Sequence, residues 1–488
     1  MKIKFTFTLL IIMNFLFGQT LTKIIPNDVN NTFVFGGYAS MYQNTIVTSS
    51  LLDNIPPYTE SKIHVFDINN SIVNESQIIT SPESGQAITS ITYIFEDKLF
   101  ISSFENNTNV TNGGAIYYYK KIGEQWIYHS KIQPVDQNQN DKFGSNIIYK
   151  NNQLFVTATG YEDDTLPITT SNGGIYVYDF NNDTFTLNQV LTTSINTSFG
   201  RLLDIEDNTL VTASANGSNS CTIFTYKKIN QNWTLSNTFP LTIVGEFPRN
   251  QDILGSINYT NNQLFIFNSP LEVPSLFLTG EIKVYDLTID NNWIYNSSIP
   301  FQPSDFYNAY LNVDGDNMVL TGYGVYILQM ERKNPAWHYK KINDVWTYQS
   351  IYTSESLYFN DSFGIKNCIS NSKIVFCAPF ERSTQPLPIN PSVPNGGLYF
   401  IDTTLSNSKF EKNNLVIYPN PVDNLLQIQN SNYSQISKIQ VYDTFGRTII
   451  LLNTSVESID TAHLSAGIYF IELIFENNAK KTLKFIKK

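Results

Sequence analysis

The side chains best suited to proton transfer and metal ligation near neutral pH are few. The four histidines are His64, His129, His338 and His463, and their spacing assembles no metal triad. Three cysteines, Cys221, Cys368 and Cys377, are too few for a disulfide framework. Cys368 and Cys377 flank a hairpin turn at Asn371-Ser372 as diagonal neighbours, which suits buried thiols with a bridge as the alternative. The run Glu162-Asp163-Asp164 could meet a cation or form a solvated acidic loop, whereas Asp314-Gly315-Asp316-Asn317 is too short to wrap an ion. The chain contains no G-x-S-x-G elbow, no H-E-x-x-H, no P-loop and no dinucleotide fingerprint. Carboxylates converging from distant segments, as in a glycosidase, stay open. The expectation is a protein with no catalytic role, no cofactor and no metal.

The elements that could position a site come from an unusual composition. Of 488 residues, 42% are hydrophobic and 14% aromatic, but only 15% are charged against a usual ~25%. That palette suits an all-β extracellular protein of several domains. The net charge of -11 opposes phosphate-backbone binding, so no nucleic-acid partner is expected. Lys2 and Lys4 precede an apolar run from Phe5 to Phe17 that stops at Gly18, the pattern of a secretory signal peptide over residues 1–18. The run is shorter than the ~20 residues that span a bilayer, and no membrane span is expected after its removal.

A repeat fills the middle of the chain. The marker pair Phe143-Gly144 recurs as Phe35-Gly36, Ser84-Gly85, Phe199-Gly200, Leu254-Gly255, Tyr307-Asn308 and Phe363-Gly364, 49 to 59 residues apart. After each marker come an apolar strand, a tight turn such as Lys150-Asn151-Asn152, and a second strand such as Leu154 to Ala158. A third strand opens at glycine, as at Gly114, Gly174 and Gly397, and a fourth at Trp126, Phe185, Trp233, Trp293 or Trp346. Four antiparallel strands per ~55 residues make a propeller blade, so the reading is a seven-bladed β-propeller over residues 19–405. Its strands are expected to be apolar on both faces, with the tryptophans packed between blades. The stretch Thr22 to Asp28 parallels Ser130 to Asp136, so a strand at 22–25 should complete the last blade and remove its exposed edge. These units resemble the FG-GAP repeats of integrin alpha-chain propellers; Cys377-Ala378-Pro379 stands where that family has glycine-alanine-proline. Long connections gather on one face, and Tyr58, Phe104, Tyr161, Tyr323 and Phe380 are the candidate ligand contacts there.

After a linker at 406–411, residues 412–488 read as a compact immunoglobulin-like β-sandwich. They contain Tyr418-Pro419-Asn420-Pro421, Gly446-Arg447, Gly467 with Tyr469, and a basic tail with Lys484 and Lys487. This order resembles the type A C-terminal sorting domain of the type IX secretion system. The resemblance implies two partners, the secretion translocon and its sorting peptidase, and a secreted or outer-membrane-surface location. The combined expectation is a secreted or surface propeller binding an unknown extracellular protein or glycan. The alternatives are a polysaccharide-active glycosidase or lyase, and a structural surface-layer component.

Overall fold

The computed structural model describes residues 21–28, 34–51, 61–83, 91–104, 106–161, 173–193, 197–215, 220–242, 254–268, 281–300, 306–324, 335–354, 362–381, 396–403, 415–430, 436–444, 446–454, 456–475 and 480–488. The segments read as signal peptide (1–18) and linker (406–411) lie outside these residues. Two compact units are present, one spanning Gln19–Leu405 and the other containing Ser406–Lys488. Their named elements are all β-strands.

The larger unit holds, among the described residues, seven four-stranded antiparallel sheets. Six are sequential, within 39–80, 92–132, 143–191, 197–242, 254–300 and 306–353. The third shows the pattern: Phe143–Lys150, Gln153–Ala158, Gly174–Asn181 and Thr184–Leu191 pair in that order. Its first turn places Asn151 and Asn152 at φ of 51° and 56°, the left-handed conformation that Asn tolerates better than most residues. The seventh sheet takes three strands from 367–402 and its outer strand, Thr22–Ile24, from the other end of the unit. Thr22, Lys23 and Ile24 lie opposite Phe400, Tyr399 and Leu398.

Hydrogen bonds join the first strand of each sheet to that of the next. Ser40 reaches Thr92 (2.9 Å), Tyr93 reaches the Tyr149 carbonyl (3.2 Å), and Lys150 reaches the Ile205 carbonyl (2.9 Å). The Tyr259 N–H donates to Asp204 (2.7 Å), the Leu311 N–H to Ser256 (2.6 Å), and the Asn312 amide to Asn367 (2.8 Å). The Gln43 N–H donates to Ser370 (3.0 Å), which returns the series from the seventh sheet to the first. Five of these partners are 55 or 56 residues apart, so the repeat length is also the spacing of the contacts.

The marker pairs and third-strand glycines meet at the sheet junctions. Gly114 and Gly396, at φ of +90° and +82°, each bridge to the buried phenylalanine of the following marker, Phe143 and Phe35. An added Cβ at either glycine would lie 2.1 Å from that phenylalanine's carbonyl oxygen. The tryptophans are junction residues too. Gln77 clasps the Trp126 backbone through both N–H and carbonyl (2.7 and 2.9 Å), and Gln189 does the same for Trp233 (2.9 Å each). Trp293 donates its indole N–H to Thr225 of the preceding sheet (2.8 Å).

Burial on both faces holds for second strands such as Lys98–Ser103 and Gln153–Ala158, but not for fourth strands: Ile72–Thr80 is mostly exposed or half-buried. Fourth strands lie farthest from the packed first strands, so neighbouring sheets cover them least. They also share an irregularity. In the first six sheets a β-bulge shifts the fourth strand at one register, and the extra residues are Ser76, His129, Asn188, Ser236, Asn296 and Gln349. Asn188 and Asn296 use that position to bond Asp179 and Asp286 (2.7 and 2.6 Å), which in turn accept from Gln153 and Gln263.

The smaller unit faces a three-stranded sheet (Leu415–Tyr418, Leu425–Asn430, Ser458–Asp460) against a four-stranded one (Thr448–Leu452, Ile436–Asp443, Gly467–Phe475, Lys480–Lys487). Leu426, Ile459, Val441, Leu473 and Phe485 fill the core between them. The basic tail is therefore an ordered strand rather than a loose extension. Leu483 and Phe485 are its inward positions.

Replacing Gly396 by Ala should destabilise the larger unit by ~2–3 kcal/mol in urea unfolding, because neither φ nor space permits a Cβ. Gly123→Ala, in a turn with open space at φ +63°, should cost only ~1 kcal/mol. Equal effects would contradict the junction role of Gly396.

Candidate functional site

A cavity of about 800 Å³ is lined by the first strands of all seven sheets. Counting two residues on from the second member of six of the seven markers gives Tyr38, Asn146, Leu202, Ile257, Tyr310 and Lys366, and all six line it; the seventh, Ala87 after Ser84-Gly85, lies outside the described residues. The Lys366 ammonium lies 3.6 Å from the Tyr310 ring centroid and 5.6 Å from that of Tyr38. Burial raises the Tyr38 phenol above its ordinary pKa, and the Arg201 charge is the largest influence opposing that rise. Two cations and two tyrosines from four sheets thus share the wall, a cation–π arrangement that keeps Lys366 at the cavity.

Asp204 stands three residues beyond Arg201 on the same strand. Burial pushes its carboxyl up to about 6, while hydrogen bonds from the Tyr259 and Ile205 N–H groups and the Lys150 charge limit the rise. Hydroxyls and amides such as Ser40, Ser145, Ser256, Asn258 and Asn312 supply neutral donors and acceptors between these groups. The wall can therefore hold a polar ligand, with cation and aromatic contacts at one level and a titrating carboxyl at another.

A second cluster joins three neighbouring strands of the first sheet. Ser50 Oγ lies 2.8 Å from His64 Nε2, and His64 Nδ1 lies 2.5 Å from Glu75. The order hydroxyl, imidazole, carboxylate is that of nucleophilic acyl transfer. Yet the His64 ring is 0% exposed and packs edge-on against Phe35 at 5.1 Å. The other oxygen of Glu75 accepts the Asn27 N–H (2.8 Å), and Lys62 pairs with Asp28 (2.6 Å). This cluster anchors the segment that crosses from the seventh sheet to the first. Burial acts to raise Glu75, but the bonds from His64 and Asn27 and the His64 charge outweigh it and leave the carboxyl below its usual value.

The contact residues expected from sequence are scattered over several sheets. Tyr58 lies outside the described residues. Tyr161 packs edge-on against Tyr176 at 5.8 Å, and Phe104 is half-buried after the second strand of its sheet. Phe380 is 41% exposed. Tyr323 falls inside the strand Asn317–Gly324, opposite Asn308, rather than in the loop where it was expected; that connection starts later because the hairpin pairing runs on to Gly324. Cys221, Cys368 and Cys377 are all free thiols. Burial pushes Cys221 and Cys377 up to about 12, which leaves them unreactive near neutrality. Tyr38, Arg201, Asp204, Tyr310 and Lys366 were not among the expected site residues, although the marker spacing carried the signal for Tyr38, Tyr310 and Lys366.

In the smaller unit the expected sorting residues form two docked structures. The Tyr418–Pro419 and Asn420–Pro421 bonds are cis, and the exposed Tyr418 ends the first strand. Asn420 donates to the Lys484 carbonyl (3.1 Å) and accepts the Ile486 N–H (2.9 Å). Val422, just after Pro421, bridges to Lys487, three residues along the same strand from the exposed Lys484. At the second structure, Gly446 takes φ +78° and Arg447 grips Asp443 through Nε and its backbone N–H (2.7 and 2.9 Å). Tyr469, two residues after Gly467, stacks on Phe485 and donates to the Ser465 carbonyl (3.0 Å).

Residues 416–488 match the family described as "Secretion system C-terminal sorting domain". This tail is a C-terminal sorting domain. Such a tail implies export by the type IX system, to the outside or to the cell surface, and interaction with that machinery. No curated protein matches the chain. Among solved structures, a hypothetical selenium-binding protein from Sulfolobus tokodaii is similar at TM-score 0.44 and 12% identity, covering 64% of this chain and 76% of that one. The periplasmic gluconolactonase of Pseudomonas aeruginosa is similar at TM-score 0.39 and 12% identity, over 70% of this chain and 94% of that one. PorZ of Porphyromonas gingivalis, an essential bacterial surface component of its type IX secretion system, is similar at TM-score 0.22 and 10% identity, over 92% and 75%. None of these likenesses carries an activity to this chain.

Two opposite pH effects should follow. Asp204 has a raised folded pKa, so it disfavours the fold above about 6, and stability should rise on acidification from pH 7 toward 4; Asp204→Asn should abolish that rise. Glu75 has a lowered folded pKa, so its contribution is present above its ordinary 4.5 and is lost as pH falls below that value. Glu75→Gln should cost ~3 kcal/mol at pH 7 and blunt the acid limb. Unfolding curves across pH check both.

Proposed function

We propose that the larger unit is a closed seven-bladed β-propeller of the FG-GAP type, and that it binds an extracellular glycan or protein on the face where its long connections gather. It has no catalytic role. The carrying observation is the unbroken series of first-strand hydrogen bonds that returns from Ser370 to Gln43. A series of that kind suits sheets set radially about an axis, and radial sheets leave a channel with two mouths. The cavity bounded by all seven first strands agrees with that arrangement. Rigid strands then present variable loops, the usual setting for recognition.

The sorting domain would deliver the propeller through the type IX translocon, and the sorting peptidase would then release it or pass it to the surface. A signal peptide at residues 1–18 would supply the first, inner-membrane step. A glycosidase reading has one observation in its favour: Asp204 lines the cavity with its carboxyl pushed up to about 6, the behaviour of a general acid. Turnover of a polysaccharide panel, lost in Asp204→Asn, would favour that reading over binding alone.

Deleting residues 412–488 should leave the protein in the periplasm, as fractionation and immunoblotting would show. Undiminished appearance outside the cell would refute the sorting role. The mature protein on a glycan and surface-protein array should show saturable binding, and Phe380→Ala should weaken it if the loop face is used.

A further inference from the structure

The geometry points to a binding site for an acidic saccharide at one mouth of the central cavity, with Lys366 and Arg201 gripping a single carboxylate. The inference rests on the propeller reading above and names the ligand class for its loop-bearing face. Tyr38 and Lys366 immediately precede the first strands of their sheets, Ala39–Tyr42 and Asn367–Ser370. In an antiparallel hairpin the first strand begins where the second ends. These residues therefore sit at the end from which the long connections between second and third strands depart.

The side chains there suit a carboxylate. Arg201 is exposed and offers a planar fork that matches carboxylate oxygens two at a time. Lys366 lies against the Tyr310 ring face at 3.6 Å, so its charge is fixed at the wall and little side-chain entropy is lost on binding. Tyr38, whose ring lies 5.6 Å from the same ammonium, offers a flat apolar surface for sugar C–H groups. Asn146 and Ser256, also lining the cavity, supply the amide and hydroxyl that sugar hydroxyls require.

The same cavity argues against polyanions. Asp204 and Asp314 line it together with the two cations, and the whole chain carries a net charge of -11. A nucleic acid or a polyuronate would bring further negative charge toward those carboxylates. One carboxylate held at the mouth, with neutral sugar hydroxyls beyond it, meets the charges in the right order. A volume of about 800 Å³ is within the range of sites for small oligosaccharide-sized ligands.

That carboxylate could come from a nonulosonic or a hexuronic acid, so the test uses both. Titration calorimetry of the mature full-length protein would compare sialyllactose with lactose, and aldotetraouronic acid with xylotetraose. One acidic member should bind at least tenfold more tightly than its neutral partner. Arg201→Ala and Lys366→Ala should each weaken it about tenfold or more, as expected for loss of a charge-assisted bond, and Lys366→Arg should retain most of it. Arg201 is exposed, so its variant keeps the test valid even if Lys366→Ala unfolds. Equal binding of acidic and neutral saccharides, or unchanged binding by Arg201→Ala, would overturn the assignment. So would array binding only to a protein or a neutral glycan, sensitive to Phe380→Ala; recognition by the loop face would then stand. Experimental coordinates with an open arc of sheets would remove the propeller reading itself.

Discussion

The pairing of Thr22–Ile24 with Gly397–Asp402 is the constraint on which the larger unit depends. Without it the seventh sheet would have three strands and an open edge, and an open edge is a template for association with other chains. The pairing also fixes where the chain goes next. After Ile24 it crosses to the first sheet, where Asn27 is held by Glu75 and Asp28 by Lys62. Lys23 anchors the strand a second time through Glu381, which also accepts the Tyr399 hydroxyl. The second sheet repeats the device without any crossing of chain ends, with Lys131 and Tyr117 meeting on Glu83. The junction that joins distant segments is thus built like one that joins adjacent ones.

Several of these features were legible because they are positional. The marker glycines and third-strand glycines recur at fixed offsets because a carbonyl or side chain of a neighbouring sheet occupies the space a Cβ would need. Trp126, Trp233 and Trp293 recur because each is held by a neighbouring sheet's glutamine or threonine. Other features were not legible, for equally physical reasons. The six bulges cannot be read from alternation, since one added residue breaks the period of two that identifies a strand. At two of them the polar residue, Asn188 or Asn296, makes sense only once the opposite strand's aspartate is known. Tyr38, Tyr310 and Lys366 fall at one offset from the markers, but nothing in a linear reading says that this offset lines a cavity, and Arg201 and Asp204 fall at other offsets. Tyr323 reads as part of a long connection, while the ladder carries on through it to Gly324. The closing lysines read as a charged tail because five of them mask the alternation of Leu483 and Phe485.

The smaller unit shows why a sorting motif can be short and yet specific. Asn420 spends both ends of its amide on the last strand, and Val422 pairs with that strand's final residues. Segments some 65 residues apart in sequence become one surface, which carries Tyr418, Lys484 and the neighbouring prolines. The Gly446-Arg447 turn closes on Asp443 in the other sheet's hairpin. The motif residues are mainly those that lock the sandwich, so the motif is a signature of the folded state.

The first strand of the larger unit also sets an order of events in time. Ile24 waits for Leu398, made more than 370 residues later. At ~5–20 residues per second of synthesis, the early segment stays unpaired for roughly 20–75 s. Its composition fits that delay: two of its three residues, Thr22 and Lys23, are solvated even in the finished molecule, and Ile24 alone carries apolar surface. A segment so sparing in greasy surface can wait in water without recruiting a wrong partner, and its late capture completes the seventh sheet.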